Sequence, residues 1–188
     1  MSGCDAVSDL IELLPSRAFY SASTVMEPTL ATGETMMADK VSPGEVRRGD
    51  ILIVTHPLSK EDYVTRLIAL PGDTVAVTDG VIVLNGERID QRDVGLHRYT
   101  DEAAGREVEV RRFRERLPDS DATYDVLDSA VTPGDTFGPL ALGPDQYFFM
   151  GDNRDNSADS RFPADMRGLG LVKGDQITRR VDLSSVGN

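Results

Sequence analysis

Tyr147-Phe148-Phe149-Met150-Gly151-Asp152-Asn153-Arg154-Asp155-Asn156-Ser157-Ala158-Asp159-Ser160-Arg161 is the stretch on which the reading of the fold turns. Four large apolar residues in a row, bounded by turn formers, describe a buried strand. The strand stops at Gly151. From there to Arg161 every residue except Ala158 is Asp, Asn, Arg or Ser. Such side chains hydrogen-bond to nearby backbone and build self-supporting turns. A rigid polar loop carried on a β scaffold is a common seat of function. Taken alone, the loop reads equally well as a tight turn closed by an Asp–Arg pair.

The sequence on either side uses the same vocabulary. Residues 36–40, 50–55 and 62–70 are short apolar runs separated by Pro-Gly, Arg-Gly-Asp and His-Pro punctuation. Residues 74–77 and 81–84 flank Thr78-Asp79-Gly80, and Asp-Gly between β-rich runs predicts a hairpin. Asn85-Gly86 predicts a second tight turn, and Val81-Ile82-Val83-Leu84 predicts a strand apolar on both faces. Residues 168–172 and 176–181 close the pattern. Residues 88–137 differ: charge dominates, with Val108, Val110 and Phe113 set among Glu and Arg. This predicts an inserted cap built on an exposed strand or hairpin, with a floppy polar loop as the plainer alternative. The N-terminal residues 1–18 read as a tail with a short amphipathic helix ending near Pro15, and 184–188 as a second tail. The expected class is mostly β, with core segments 19–87 and 138–183 around the cap.

Composition excludes several functions. A formal charge of −12 argues against a nucleic-acid partner, which needs clustered Lys and Arg. One Cys and two His cannot build a Cys/His zinc cluster, so neither metal nor cofactor is expected. No run approaches the length of a membrane span, which predicts a soluble chain as given. Cys4 follows Ser2-Gly3, a small-residue run like the end of a bacterial lipoprotein processing site; the plain alternative is a free thiol in a frayed terminus.

Two further segments complete the pattern. One is Phe19-Tyr20-Ser21-Ala22-Ser23-Thr24-Val25-Met26-Glu27-Pro28-Thr29-Leu30, and the other is Tyr63-Val64-Thr65-Arg66-Leu67-Ile68-Ala69-Leu70-Pro71-Gly72-Asp73. Together with Arg48-Gly49-Asp50-Ile51, Asn85-Gly86 and the uninterrupted loop from Gly151 to Arg161, their order and spacing resemble the bacterial type I signal peptidases. The resemblance runs from Phe19 to about Arg180, apart from the insertion. It implies a signal-peptidase-like β-sheet or barrel core with a small inserted cap, and a Ser/Lys dyad protease. In such a dyad a lysine in apolar surroundings is neutral enough to activate a serine.

The resemblance also locates a departure. Val25 falls on the nucleophile and Thr65 on the general base, while Ser23 falls on the serine of the oxyanion hole. Ser157, Asp159 and Arg161 match the supporting residues. Valine has no atom that attacks a carbonyl, and threonine takes up no proton near pH 7. Losing such a pair costs on the order of a millionfold in rate. A displaced dyad built on Ser23 needs a base, and the chain offers only Lys40, Lys60, Lys173, His56 and His97. Phe19, Ser21, Met26, Leu30, Tyr63 and Val64 fall on positions that line the family's peptide groove; in the plainer reading they are core residues.

The expected function is therefore a catalytically inactive signal-peptidase-like domain that binds an extended peptide or preprotein segment. The alternatives are an active endopeptidase using Ser23 and a structural subunit of a secretion or assembly machine. By resemblance the compartment is the periplasmic, cell-envelope side of the inner membrane. Membrane association is expected through an N-terminal anchor outside these 188 residues or through lipidated Cys4.

Overall fold

A computed structural model describes residues 14–101, 105–120 and 122–187. The short helix expected near the N-terminus and Cys4 lie outside the described residues, apart from Leu14. Thirteen strands form three antiparallel sheets among the described residues. The largest has six strands: β1 (Ser16–Tyr20), β2 (Thr35–Lys40), β3 (Ile51–Thr55), β4 (Asp62–Ala69), β12 (Phe148–Met150) and β13 (Ile177–Asp182), in the order β1-β2-β13-β3-β4-β12. The second has β5 (Thr74–Thr78), β6 (Val81–Leu84), β7 (Glu87–Arg88) and β11 (Thr136–Ala141), in the order β11-β5-β6-β7. The third is the cap, with β8 (Asp90–Asp101), β9 (Arg106–Arg116) and β10 (Tyr124–Leu127) in the order β10-β9-β8. Among the described residues helix is confined to short 3-10 turns, so the class is mostly β, as the punctuation predicts.

The large sheet is covered on both faces. In β3, Ile51, Leu52, Ile53 and Val54 are all buried. Alternation sends Leu52 and Val54 into one cluster with Leu67, Phe149 and Ile177. Ile51 and Ile53 join Met26, Leu30, Met36 and Val181 on the other side. A third cluster, with Val75, Val77, Ile82, Leu84 and Phe148, ties the second sheet to the first. Full burial of each such side chain contributes roughly 1.5–3 kcal/mol. Asp79 and Gly80 turn with φ of 50° and 76°, and Asn85 and Gly86 with 54° and 87°, as the two dipeptides predict.

Two expectations are modified. The strand at 81–84 is not buried on both faces: Ile82 and Leu84 face the core, whereas Val81 and Val83 are half-buried. The segment 88–137 is not one unit either. The cap sheet spans Asp90 to Leu127, while Thr136 and Phe137 pair with Thr78 and Val77 in the second sheet. Phe137 also packs on Phe148, with ring centroids 5.0 Å apart. Its aromatic ring had a partner outside the cap, which a charge count does not register.

Candidate functional site

Val25 sits in the 3-10 turn Thr24–Met26, directly after the extended residue Ser23. Met26 and Leu30, at 1% and 0% exposure, are core residues and back the site from beneath. Val25 is half-buried and packs on the same cluster with Phe19 and Val64. The polar loop grips this turn. Asn153 donates its backbone N–H to Val25 O (3.0 Å), and its Nδ2 donates to Thr24 O (3.1 Å). Asn156 Nδ2 donates to Thr24 Oγ1. Tyr99 of the cap completes the grip, its hydroxyl accepting from Asn153 Nδ2 at 3.1 Å.

Gly151 is where the loop, the turn and β4 converge. A Cβ there would collide with Ser157 Oγ and lie 2.7 Å from Val25 O, so only glycine lets these groups meet. Met150 pairs with Arg66, so the register carries Gly151 alongside Thr65. Thr65 is 4% exposed, and its Oγ1 is buried without a hydrogen-bond partner. An unsatisfied buried hydroxyl costs about 1–3 kcal/mol.

Behind this centre stands a shell of buried ion pairs. Asp159 accepts from Gly151 N (3.1 Å) and from Arg161 Nε (2.8 Å) and Nη2 (2.9 Å). Arg161 Nη2 also donates to Arg154 O at 2.7 Å. Arg66 makes a two-point contact with Asp152 (2.7 and 2.6 Å), and Thr29 Oγ1 donates to the same carboxylate at 2.5 Å. Burial works against the charge on Arg66, but the Asp152 carboxylate outweighs it and the pKa is raised. Arg154 reaches into the cap, where Nη1 and Nη2 meet Glu115 at 3.0 and 2.5 Å. Glu115 and Arg154 are 0% and 2% exposed. Burial disfavours the Arg154 charge, yet Glu115 holds its pKa above the ordinary value. Tyr124, under the Arg66 guanidinium at 4.0 Å, is pushed well up by burial and then by Glu115.

The residues singled out in the sequence thus divide. Val25, Ser157 and Thr65 converge on Gly151, and Asp159 and Arg161 stand one bond behind. Ser23 is exposed and its side chain caps no backbone N–H. It lines a cleft of about 280 Å³ with Ala22, Thr24, Val25, Thr32, Asp101 and Asn156. Ser21 is buried, its hydroxyl donating weakly to Ser23 O at 3.4 Å. Tyr63 and Val64 point to opposite faces of β4. Tyr63 stacks on His56 at 5.3 Å in one cluster, while Val64 packs with Val25 in another. Asp152, Asn153, Arg154 and Arg66 had no assigned role in the sequence reading, although each lies in a quoted motif. Glu115 and Asp101 gave no signal at all, lying in the charged cap.

Among the described residues the cleft's lining contains neither Lys nor His, and Asp101 is its one ionisable side chain. His56 accepts from Leu58 N and Ser59 N and its Nε2 meets Gly168 O at 2.9 Å; His97 Nε2 faces Glu27 at 3.3 Å. Lys40, Lys60 and Lys173 are exposed.

Fold and site together define a mostly-β domain with a small cleft, floored by a short turn and braced by a buried polar loop. The sequence profile of the signal peptidase family, peptidase S26, matches residues 9–186, and the chain belongs to that family. It is 35% identical over 165 residues to signal peptidase I of Bacillus licheniformis, covering 87% of this chain and 73% of that protein. It is 34% identical over 154 residues to signal peptidase I T of Bacillus subtilis strain 168, covering 81% and 64% respectively. Among solved structures, a signal peptidase I from Enterococcus faecalis V583 is similar with a TM-score of 0.42 and 24% identity, covering 73% of this chain and 97% of that one.

Proposed function

We propose that this domain binds extended peptide or preprotein segments of the signal-peptide kind without cleaving them, at the cell envelope. The observation that carries the reading is the composition of the cleft: Val25 and Ser23 line it, and among the described residues its wall holds neither Lys nor His. Ser–base catalysis needs a proton acceptor within hydrogen-bond reach of the hydroxyl. The described wall thus gives Ser23 no lysine or histidine partner for a displaced dyad. Thr65, at the place the resemblance gives to the base, carries only a buried hydroxyl. The turn, Ser157 and the brace around them remain in place, which supports retained binding.

The test is restoration. Val25→Ser with Thr65→Lys is expected to create measurable cleavage of a preprotein carrying a signal peptide. The parent chain and each single variant are expected to show none, and all four proteins are expected to bind the corresponding peptide. Cleavage by the parent chain, abolished in Ser23→Ala, would sink the reading in favour of a displaced nucleophile. Absence of peptide binding to a folded parent chain would favour a purely structural subunit.

A further inference from the structure

A second cavity, of about 490 Å³, lies between the cap and the 28–29 segment, apart from the Val25 cleft. Its wall carries His97, Arg112, Arg114, Thr123 and Asp125, and its floor is Pro28 and Thr29. In a chain of formal charge −12 this grouping of cationic side chains is a local exception. The register explains it. Arg112 and Arg114 alternate onto one face of β9, and Gly95 and His97 onto the facing side of β8. Gly95 stands opposite Arg112 and leaves the space that a side chain would fill.

The one carboxylate among the described wall residues is already engaged. Asp125 accepts from Arg114 Nε at 2.7 Å and Nη2 at 3.0 Å. Arg112 Nε lies 3.7 Å from Asp125, beyond hydrogen-bond range. Among the described residues the Arg112 guanidinium makes no hydrogen bond, its Nε is buried, and its side chain is 34% exposed. A guanidinium offers five donors in a fixed fork, and a buried donor without an acceptor is costly.

We infer that this cavity is a binding site for a phosphate group, whose oxygens would accept from Arg112, from the outer nitrogens of Arg114 and from the Thr123 hydroxyl. A cavity of this size exceeds one oxyanion and falls within the range of small-molecule sites, about 300–1,000 Å³. The phosphate is therefore that of a larger molecule or a free ion beside water. This site is independent of peptide binding in the Val25 cleft.

Titration of inorganic phosphate and of glycerol 3-phosphate into the isotope-labelled chain, followed at the Arg112 Nε–H and His97 ring signals, tests the inference. Saturable binding in the millimolar range is expected, with glycerol 3-phosphate the tighter if the physiological group is an ester. Arg112→Gln should weaken binding about tenfold or more, and Thr123→Val, at the exposed mouth, about threefold. No saturation by either phosphate, unchanged affinity in a folded Arg112→Gln, or shifts confined to other parts of the molecule would overturn it. Should Arg112→Gln not fold, unchanged affinity in Thr123→Val would do the same.

Discussion

The turn at 24–26 and the loop at 151–161 press against each other, yet they treat polar groups in opposite ways. The loop pairs its most deeply buried charges, Asp159 with Arg161, Asp152 with Arg66 and Arg154 with Glu115, and leaves only Asp155 Oδ1 unpartnered among its described buried side-chain atoms. At the turn and the adjoining β4, Val25 brings no polar side-chain atom and Thr65 Oγ1 has no partner. Burying charge is costly unless it is paired, so the loop persists only as a complete network. A lone hydroxyl costs little enough to be tolerated. The contrast sets a braced loop around a centre with Val25 and Thr65 in it, which is the pattern the proposed function rests on.

The contrast breaks most forcefully at its strongest pair. Glu115→Ala or Arg154→Ala each strands a charge at 0–2% exposure. Each should cost about 3–5 kcal/mol in urea unfolding, and the double variant should cost less than the sum. A smaller, pH-dependent effect is expected at Asp128, where the cap strand β10 ends. Burial, followed by the nearby Asp155 and Asp135 carboxylates, raises its pKa to about 6. In the unfolded chain it ionises near 4. The raised value means that its contribution to stability is fully present below about pH 4 and is lost as pH rises through about 6. Asp128→Asn should therefore raise the melting temperature at pH 7 and leave it nearly unchanged at pH 4. At Thr65 the sign reverses from that at Glu115. Thr65→Val removes an unsatisfied hydroxyl at nearly constant volume and should stabilise by about 1 kcal/mol, read from the shift in urea midpoint. The exposed Arg98–Glu109 pair on the cap should count least, with Arg98→Ala changing stability by about 0.5 kcal/mol or less.

Local signals in the sequence carried the sheets well. Asp79-Gly80 and Asn85-Gly86 fix two turns by backbone chemistry alone, and the apolar runs fix the strands. The loop from Gly151 to Arg161 was legible as a motif from its uninterrupted polar residues, and its Asp159–Arg161 pair is local, but most of its other side-chain partners lie far away in sequence. What stayed hidden is non-local. Glu115 lies between Arg114 and Arg116 in a run that reads as solvated charge, and only the fold brings it 39 positions in sequence to Arg154. Tyr63 and Val64 are adjacent in sequence, and the pleat sends them into different clusters. The end of the cap was misplaced for the same reason, since Phe137 finds Phe148 across the chain.

The ion pair between Glu115 and Arg154 also limits how this domain can be recombined with its relatives. A cap hairpin exchanged at its two ends, as in chimera construction, delivers a folded product only when the donor ribbon carries an acid at the position facing Arg154. The outer stretch of the ribbon is tied to the body more lightly, through Tyr99 on Asn153 and His97 against Glu27.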